Sequence, residues 1–280
     1  MNETAGPKSS ALPCGFIVMR HGRREDTDNP LWQVQARFPF DTPLSASGKE
    51  IMEAANRLKQ AGRTIDVVYT SPFLRCLQTS EQLIRALGCE NIPVFVHQGL
   101  SEVHSPHLLF KASRPSLSQR ARYWLWRASY SSHSRPARQR FTRKARILDG
   151  SWPQVPESEY SATLRFRQVI LELAAKHPGQ QVLLVSHGKS VQVAHEALGC
   201  PQRVQQVGFA GFIACRPKSE QPQGQQQQGQ GQDQQRPTEA GEQRQERAGE
   251  QGGDRTSGGV QWGDFGLDPQ VPSFGVEFYT

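Results

Sequence analysis

The sequence predicts an α/β fold, a three-layer α/β/α sandwich around a mostly parallel central sheet. Three observations lead there. Short apolar runs recur at Phe16–Met19, Ile65–Tyr69, Pro93–Val96 and Val182–Val185, the pattern of strands buried on both faces. Between them lie segments with apolar residues at helical spacing, such as Ile51, Ala54, Ala55 and Leu58. Glycine or proline closes segment after segment, at Gly62, Gly88, Pro178-Gly179 and Gly199, so strand and helix alternate with short connections.

Taken in order, residues 1–13 are polar and expected to be disordered. The first strand, Phe16–Met19, follows Gly15 and ends in Arg20-His21-Gly22-Arg23-Arg24, where Gly22 is expected to let a ligand approach the backbone. Glu25 to Asp41 reads as an irregular loop whose Trp32, Phe38 and Phe40 suit a small satellite core better than a pocket wall. Ser47-Gly48-Lys49-Glu50 fits a capping box opening a helix that Gly62 ends. The strand Ile65–Tyr69 turns through Thr70-Ser71-Pro72 into a helix from near Leu74 to Gly88, and Pro93–Val96 leads to Leu100-Ser101-Glu102.

Further on, Pro156-Glu157-Ser158 opens a helix with Phe166, Val169, Ile170, Leu173 and Ala174 on its apolar face. Val182–Val185 ends in Ser186-His187-Gly188, and a helix then runs to about Leu198. Val207 to Cys215 supplies one more strand, and the alternation over Val271–Tyr279 suits an edge strand. The chain divides into a catalytic domain over 14–216 with a basic insertion at 103–150, a segment at 217–259, and a C-terminal piece at 260–280.

The 280 residues carry a formal charge of +7 and a pI near 9.4, which favours anionic partners without choosing among them. Five cysteines, an odd number with no C-x-x-C pair, indicate neither a disulfide framework nor a zinc site, so reduced thiols and a cytoplasmic compartment are expected. No secretory signal and no apolar stretch long enough for a bilayer is evident, so no membrane contact is expected. From Lys111 to Arg146 eleven cations occur with no acid, interleaved with Tyr123, Trp124 and Trp126. That stretch reads equally as a mobile solvated insertion and as a surface for nucleic acid. Residues 217–259, rich in Gln and Gly, hold five cations against seven acids and too little apolar surface to fold, so disorder is expected there.

In open parallel sheets, ligands bind beyond the carboxyl ends of the strands. Four strand ends here deliver His21 and His187, Arg20 and Arg75, and Glu102 to one edge. Histidine among arginines is a poor metal site, because the cations repel a metal ion, but it brings a phosphate to a nucleophilic imidazole. No metal and no cofactor is indicated.

These motifs resemble those of the histidine phosphatase superfamily in its phosphoglycerate-mutase-like branch. Arg20-His21-Gly22, Ser71-Pro72 with Arg75 and Gln78-Thr79, Leu100-Ser101-Glu102 and Ser186-His187-Gly188 stand in that family's order. Pro39-Phe40-Asp41 ahead of Pro43-Leu44-Ser45, the Arg75–Thr79 run and Pro156-Glu157-Ser158 are similar to the ecdysteroid-phosphatase and T-cell ubiquitin-ligand phosphatases. The resemblance covers residues 14–216, less well over 103–150.

It implies a phosphoglycerate-mutase-like fold and a metal-independent phosphomonoesterase. His21 would carry the phosphoryl group, Arg20 and Arg75 would clamp its oxygens, His187 would donate a further bond, and Glu102 would act as acid and base. Arg24 matches a second arginine of the phosphatase-like members, whereas Arg23 stands where those relatives carry an acidic or amide residue, which leaves substrate preference open. A phosphoglycerate-type mutase or a sugar-bisphosphate phosphatase would use the same residues. A non-enzymatic alternative is a basic nucleic-acid or scaffold-binding protein on a relic fold. The implied partner is a phosphorylated small molecule or a phosphoprotein, with oligomeric state open.

Overall fold

The computed structural model describes residues 15–131, 145–218 and 259–279. The segments expected to be disordered, 1–13 and nearly all of 217–259, lie outside the described residues, as do residues 132–144 of the basic stretch. Eight strands form one sheet: β1 (Gly15–Arg20), β2 (Val67–Thr70), β3 (Val94–His97), β4 (Ala145–Asp149), β5 (Gln181–Ser186), β6 (Val204–Pro217), β7 (Phe265–Leu267) and β8 (Phe274–Phe278). Their order is β4-β3-β2-β5-β1-β6-β7, with β8 also paired to β6. From β4 to β1 the pairing is parallel; β6 runs antiparallel to β1, and β7 and β8 run antiparallel to β6.

Alternation along the central strands builds two cores. Phe16 and Val18 of β1, with Val182 and Leu184 of β5, face one cluster; Ile17, Met19, Leu183 and Val185 face the other. Helix α7 (Glu159–Ala175) and helix α8 (Gly188–Ala197) cover the first face through Phe166, Ile170, Val191 and Ala194. Helix α3 (Glu50–Gln60) and helix α4 (Leu74–Leu87) cover the second through Ile51, Ala55, Leu58 and Leu83. The outcome is the three-layer α/β/α sandwich. Helix α4 ends where Gly88 adopts φ 74°, a left-handed cap that a side chain would strain.

Several local expectations are corrected. No capping box opens α3: Lys49 is its N-cap without a side-chain bond, and Ser47 Oγ donates instead to Asp28 Oδ2 at 2.7 Å. The loop from Glu25 contains two short helices, α1 (Glu25–Asp28) and α2 (Trp32–Gln35), and in place of a separate satellite core its Phe40 joins the second core itself, with Phe38 packed against it. The insertion is more ordered than a mobile, solvated reading allows over Lys111 to Ser131. Helix α5 (Pro106–Phe110) leads into that stretch and helix α6 (Leu117–Ser131) stands in it, with β4 following as an edge strand that, among the described residues, pairs only with β3. Charge density hid a helix whose residues three apart, Tyr123 and Trp126, are 1% and 0% exposed.

Those two aromatics pack with Phe40, and Trp126 also with Phe73, at ring-centroid distances of 4.7–5.8 Å. Trp126 Nε1 donates to Asp41 Oδ2 at 2.6 Å, and the other carboxylate oxygen accepts the Leu74 N–H at 2.7 Å, at the start of α4. One carboxylate thus ties the insertion to the helix that carries Arg75. Trp126→Ala removes the largest buried side chain and that bond together; the expected loss is about 3–5 kcal/mol, read as a lower urea midpoint at unchanged slope.

Candidate active site

The site is built by register. Arg20 of β1 pairs with Ser186 of β5, so the next residue of each strand, His21 and His187, emerges side by side at the carboxyl edge. Their rings lie 5.4 Å apart, centroid to centroid, at 67°. Neighbouring β2 ends at Thr70 opposite Val185, which brings Ser71 and the first turn of α4 to the same edge. Beyond β3, a 3₁₀ turn over Gln98–Leu100 delivers Glu102.

His21 is 1% exposed, and its Nδ1 lies 2.8 Å from the Gly22 carbonyl. That carbonyl can only accept, so Nδ1 carries the hydrogen and Nε2 keeps its lone pair. Burial, with Arg75, His187 and Arg20 around it, holds the imidazole well below its usual range, so the ring is neutral. Gly22 N–H donates to Thr79 Oγ1 at 2.9 Å, and Thr79 Oγ1 donates to the Arg75 carbonyl at 2.7 Å, fixing the turn against α4. The expectation that Gly22 makes room for a ligand is corrected: a Cβ there would lie 2.7 Å from Ile51 Cδ1, so the glycine accommodates α3.

His187 is fully buried, and burial above all lowers its pKa to about 4. Ser71 Oγ, which also accepts the Phe73 N–H, stands 3.0 Å from Nε2; the carboxylate beside Nδ1 can only accept, so Nδ1 holds the hydrogen and Nε2 takes the hydroxyl's. Nδ1–H faces Glu102 Oε2 at 3.2 Å. Below the ring, the Cys76 thiol donates to the Ser186 carbonyl at 3.4 Å, and burial pushes its pKa up to about 12.

Arg75 is 2% exposed; Nη1 donates to the Phe40 carbonyl at 3.1 Å and Nη2 to Glu102 Oε2 at 3.4 Å. Its buried Nε has no hydrogen-bond partner among the described residues. Arg20 donates to the Val207 carbonyl and lies 4.4 Å above the Phe209 ring. Burial pulls its pKa down, with Arg24 and Arg75 adding to that direction and Glu102 opposing. Burial favours the neutral acid at Glu102, but His187 and Arg75 outweigh it and hold the carboxyl well below the usual carboxylate range.

A cleft of about 430 Å³ opens over this group, lined by Arg20, His21, Arg24 and Glu102 together with Lys111 and Lys189. Arg24 is held in its wall by an ion pair to Asp26 at 2.9 Å. All six predicted site residues therefore meet at one edge of the sheet. Arg23 does not join them: it grips Asp28 at 2.6 and 2.9 Å on the surface. Sequence reasoning missed Phe209, whose ring lies 6.0 Å from that of His21. It rides an irregularity in β6 where Ala210, at φ 53°, donates its N–H to the His21 carbonyl. Glycines flanking it at 208 and 211 were the available signal for a bulge.

Three guanidiniums, a neutral imidazole with a free lone pair and one carboxylate are groups able to bind an anionic ester and to offer it a nitrogen nucleophile and a proton carrier. The sequence matches the histidine phosphatase superfamily (branch 1) over residues 16–206, and the chain belongs to that family. Among solved structures it is similar to the ecdysone phosphate phosphatase of Bombix mori, at 18% identity over 72% of this chain and 88% of that one, with a TM-score of 0.47. A phosphoglycerate mutase from Bacillus anthracis is 16% identical over 74% and 90%, with a TM-score of 0.49, and a mycobacterial glucosyl-3-phosphoglycerate phosphatase is 20% identical over 72% and 90%, at 0.43. The family assignment rests on the sequence match, not on these likenesses.

His21, His187 and His104 all sit below the ordinary imidazole range, with burial the largest cause for each. Below about pH 6.5 the unfolded chain therefore binds more protons than the folded one. Stability is full above that value and falls as pH falls beneath it, until His187 itself takes a proton near 4. Denaturant midpoints measured at about pH 7.5, 6 and 5 should decline in that order; a flat series would contradict the buried neutral imidazoles.

Proposed function

We propose that the chain hydrolyses phosphomonoesters without a metal, through a phosphohistidine on His21. The observation that carries this reading is the His21 ring, with Nδ1–H committed to the Gly22 carbonyl at 2.8 Å and Nε2 left as the nucleophile beside three arginines. Ligand atoms of His21, Glu102 and His187 do come within 4.8 Å of one another, a spacing a metal ion could use. Arg20, Arg24 and Arg75 share that space, and their field favours a dianion over another cation.

In the first step Nε2 of His21 bonds to phosphorus while the bond from phosphorus to the ester oxygen breaks, and Glu102 gives that oxygen its proton. In the second, water attacks phosphorus, the bond to nitrogen breaks, and Glu102 takes the proton back. Arg20, Arg75 with its unpartnered Nε, and Nδ1–H of His187 hold the non-bridging oxygens. Losing one such donor typically costs on the order of 10² to 10³ in rate. Glu102 Oε2 lies against the donors of Arg75 and His187. An arriving phosphate takes those donors and adds negative charge, and both changes raise the affinity of Glu102 for the proton it must deliver.

The ester portion enters the cleft past Lys111, Lys189, Val103 and Leu108, which suits a phosphorylated small molecule or a single phosphorylated side chain of a protein. A mutase outcome would show as isomerised product, without free phosphate, on incubation with phosphoglycerates. The nucleic-acid reading of the basic stretch loses two of its three aromatics, since Tyr123 and Trp126 are core residues and only Trp124 is exposed.

Screening phosphate release over a panel of phosphomonoesters, with His21→Ala as the blank, is the direct test. His21→Ala should reduce release to background on every ester; release that survives it would overturn the reading. Glu102→Gln should slow alkyl esters by about 10² to 10⁴ and aryl esters by far less, because an aryl oxide leaves with little proton assistance. Equal losses would remove Glu102 from the acid role.

A further inference from the structure

Glu102 does not sit on a strand or helix. It stands on the loop that follows the 3₁₀ turn over Gln98–Leu100, and such a loop has no internal ladder to fix it. A general acid must nevertheless reach the ester oxygen within hydrogen-bond distance, and a displacement of about 1 Å can cost on the order of 10² in rate. Something outside the loop has to hold it.

What holds it is a buried ion pair from the start of α7. Arg165 donates through Nη1 to the carbonyls of Gly99 at 2.6 Å and Ser101 at 3.1 Å, on the N-terminal side of Glu102. Glu157 Oε2 accepts the N–H of His104 at 3.0 Å, and the Glu157 N–H donates to the His104 carbonyl at 3.1 Å, on the C-terminal side. The two side chains are joined by parallel bonds of 2.7 and 2.8 Å, a planar fork matched to a carboxylate. At 12% and 2% exposure they are shielded from water, and neither lines the cleft. The backbone also cannot sink toward the helix, since a Cβ at Gly99 would lie 2.8 Å from Val169 Cγ2 of α7.

We propose that Glu157 and Arg165 are positioning residues for the proton transfer, a clamp that fixes the Glu102 carboxyl at the leaving oxygen while touching neither substrate nor phosphate. This rests on the acid role given to Glu102 above. A buried ion pair is weak evidence for stability, and here Nη1 of Arg165 and Oε2 of Glu157 reach beyond the pair to the backbone on either side of Glu102.

The test compares an alkyl and an aryl phosphate in the full-length protein. Arg165→Lys keeps the charge but loses the fork, and Glu157→Gln keeps the size but loses the ion pair. Each should lower the ratio of alkyl to aryl kcat/KM, which reports the first step alone, at least about tenfold, with aryl kcat/KM within about threefold of wild type. Because both rates come from one preparation, a misfolded fraction cancels from the ratio. Combined with Glu102→Gln, Arg165→Lys should add little further loss on the alkyl ester, since residues acting through one group are not additive. Should Glu102→Gln collapse the ratio while Arg165→Lys and Glu157→Gln both leave it intact, the acid stands and the clamp falls. An unchanged ratio in Glu102→Gln takes down the acid role and the clamp with it, and wild-type protein inert on both esters takes down the proposed function as well.

Discussion

Parallel pairing of β1 with β5, in the register that sets Arg20 against Ser186, is the constraint on which the rest depends. It alone brings two histidines 166 positions apart in the chain to adjacent strand ends. The register is secured from below, because the two strands alternate between separate cores. Moving one strand by a single residue would exchange Phe16 and Val18 with Ile17 and Met19 between those cores. Packing under the sheet is therefore what specifies the chemistry at its edge.

The electrostatics follow from that placement. A site assembled from Arg20, Arg24 and Arg75 concentrates like charge at one edge of the sheet, with Arg75 buried and Arg20 and Arg24 partly open to the cleft. In the free protein the Glu102 carboxylate supplies the compensating anion, lying 3.2 Å from His187 and 3.4 Å from Arg75. A thiol 3.7 Å from His187 does not compete for this role, because burial keeps Cys76 protonated and neutral. In the proposed reaction, phosphate would take the place of that carboxylate among the same donors.

Much of this was legible in the sequence. Continuous apolar runs betrayed strands buried on both faces, and the polar residues that end those runs had one place to go in a parallel sheet. His21, His187, Arg20, Arg75 and Glu102 could each be found that way, and the family match over residues 16–206 agrees with the resemblance the motifs carry. What escaped was whatever depends on contacts between distant segments. Nothing around Ser47 distinguishes a cap from a hydroxyl bound to Asp28. Tyr123 and Trp126 looked solvated because their neighbours are arginines, yet the aromatic pocket that receives them comes from Phe40 and Phe73 far upstream. The clamp on Glu102 joins residues 157 and 165 to residues 99–104, a relation no local pattern encodes.

The chain leaves the sheet at the end of β6, where the Lys218 N–H meets the Asp264 carbonyl at 2.8 Å, and comes back to bury Trp262 and Phe265 against Phe16. Residues 219–258 are thus a bridge anchored at both ends, not an appendage, and cutting the chain ahead of them would strip β7 and β8 from the sheet along with them. The short returning segment therefore belongs to the same core as the strand that bears His21, and whatever disturbs Trp262 or Phe265 is felt at Phe16, five residues before that histidine.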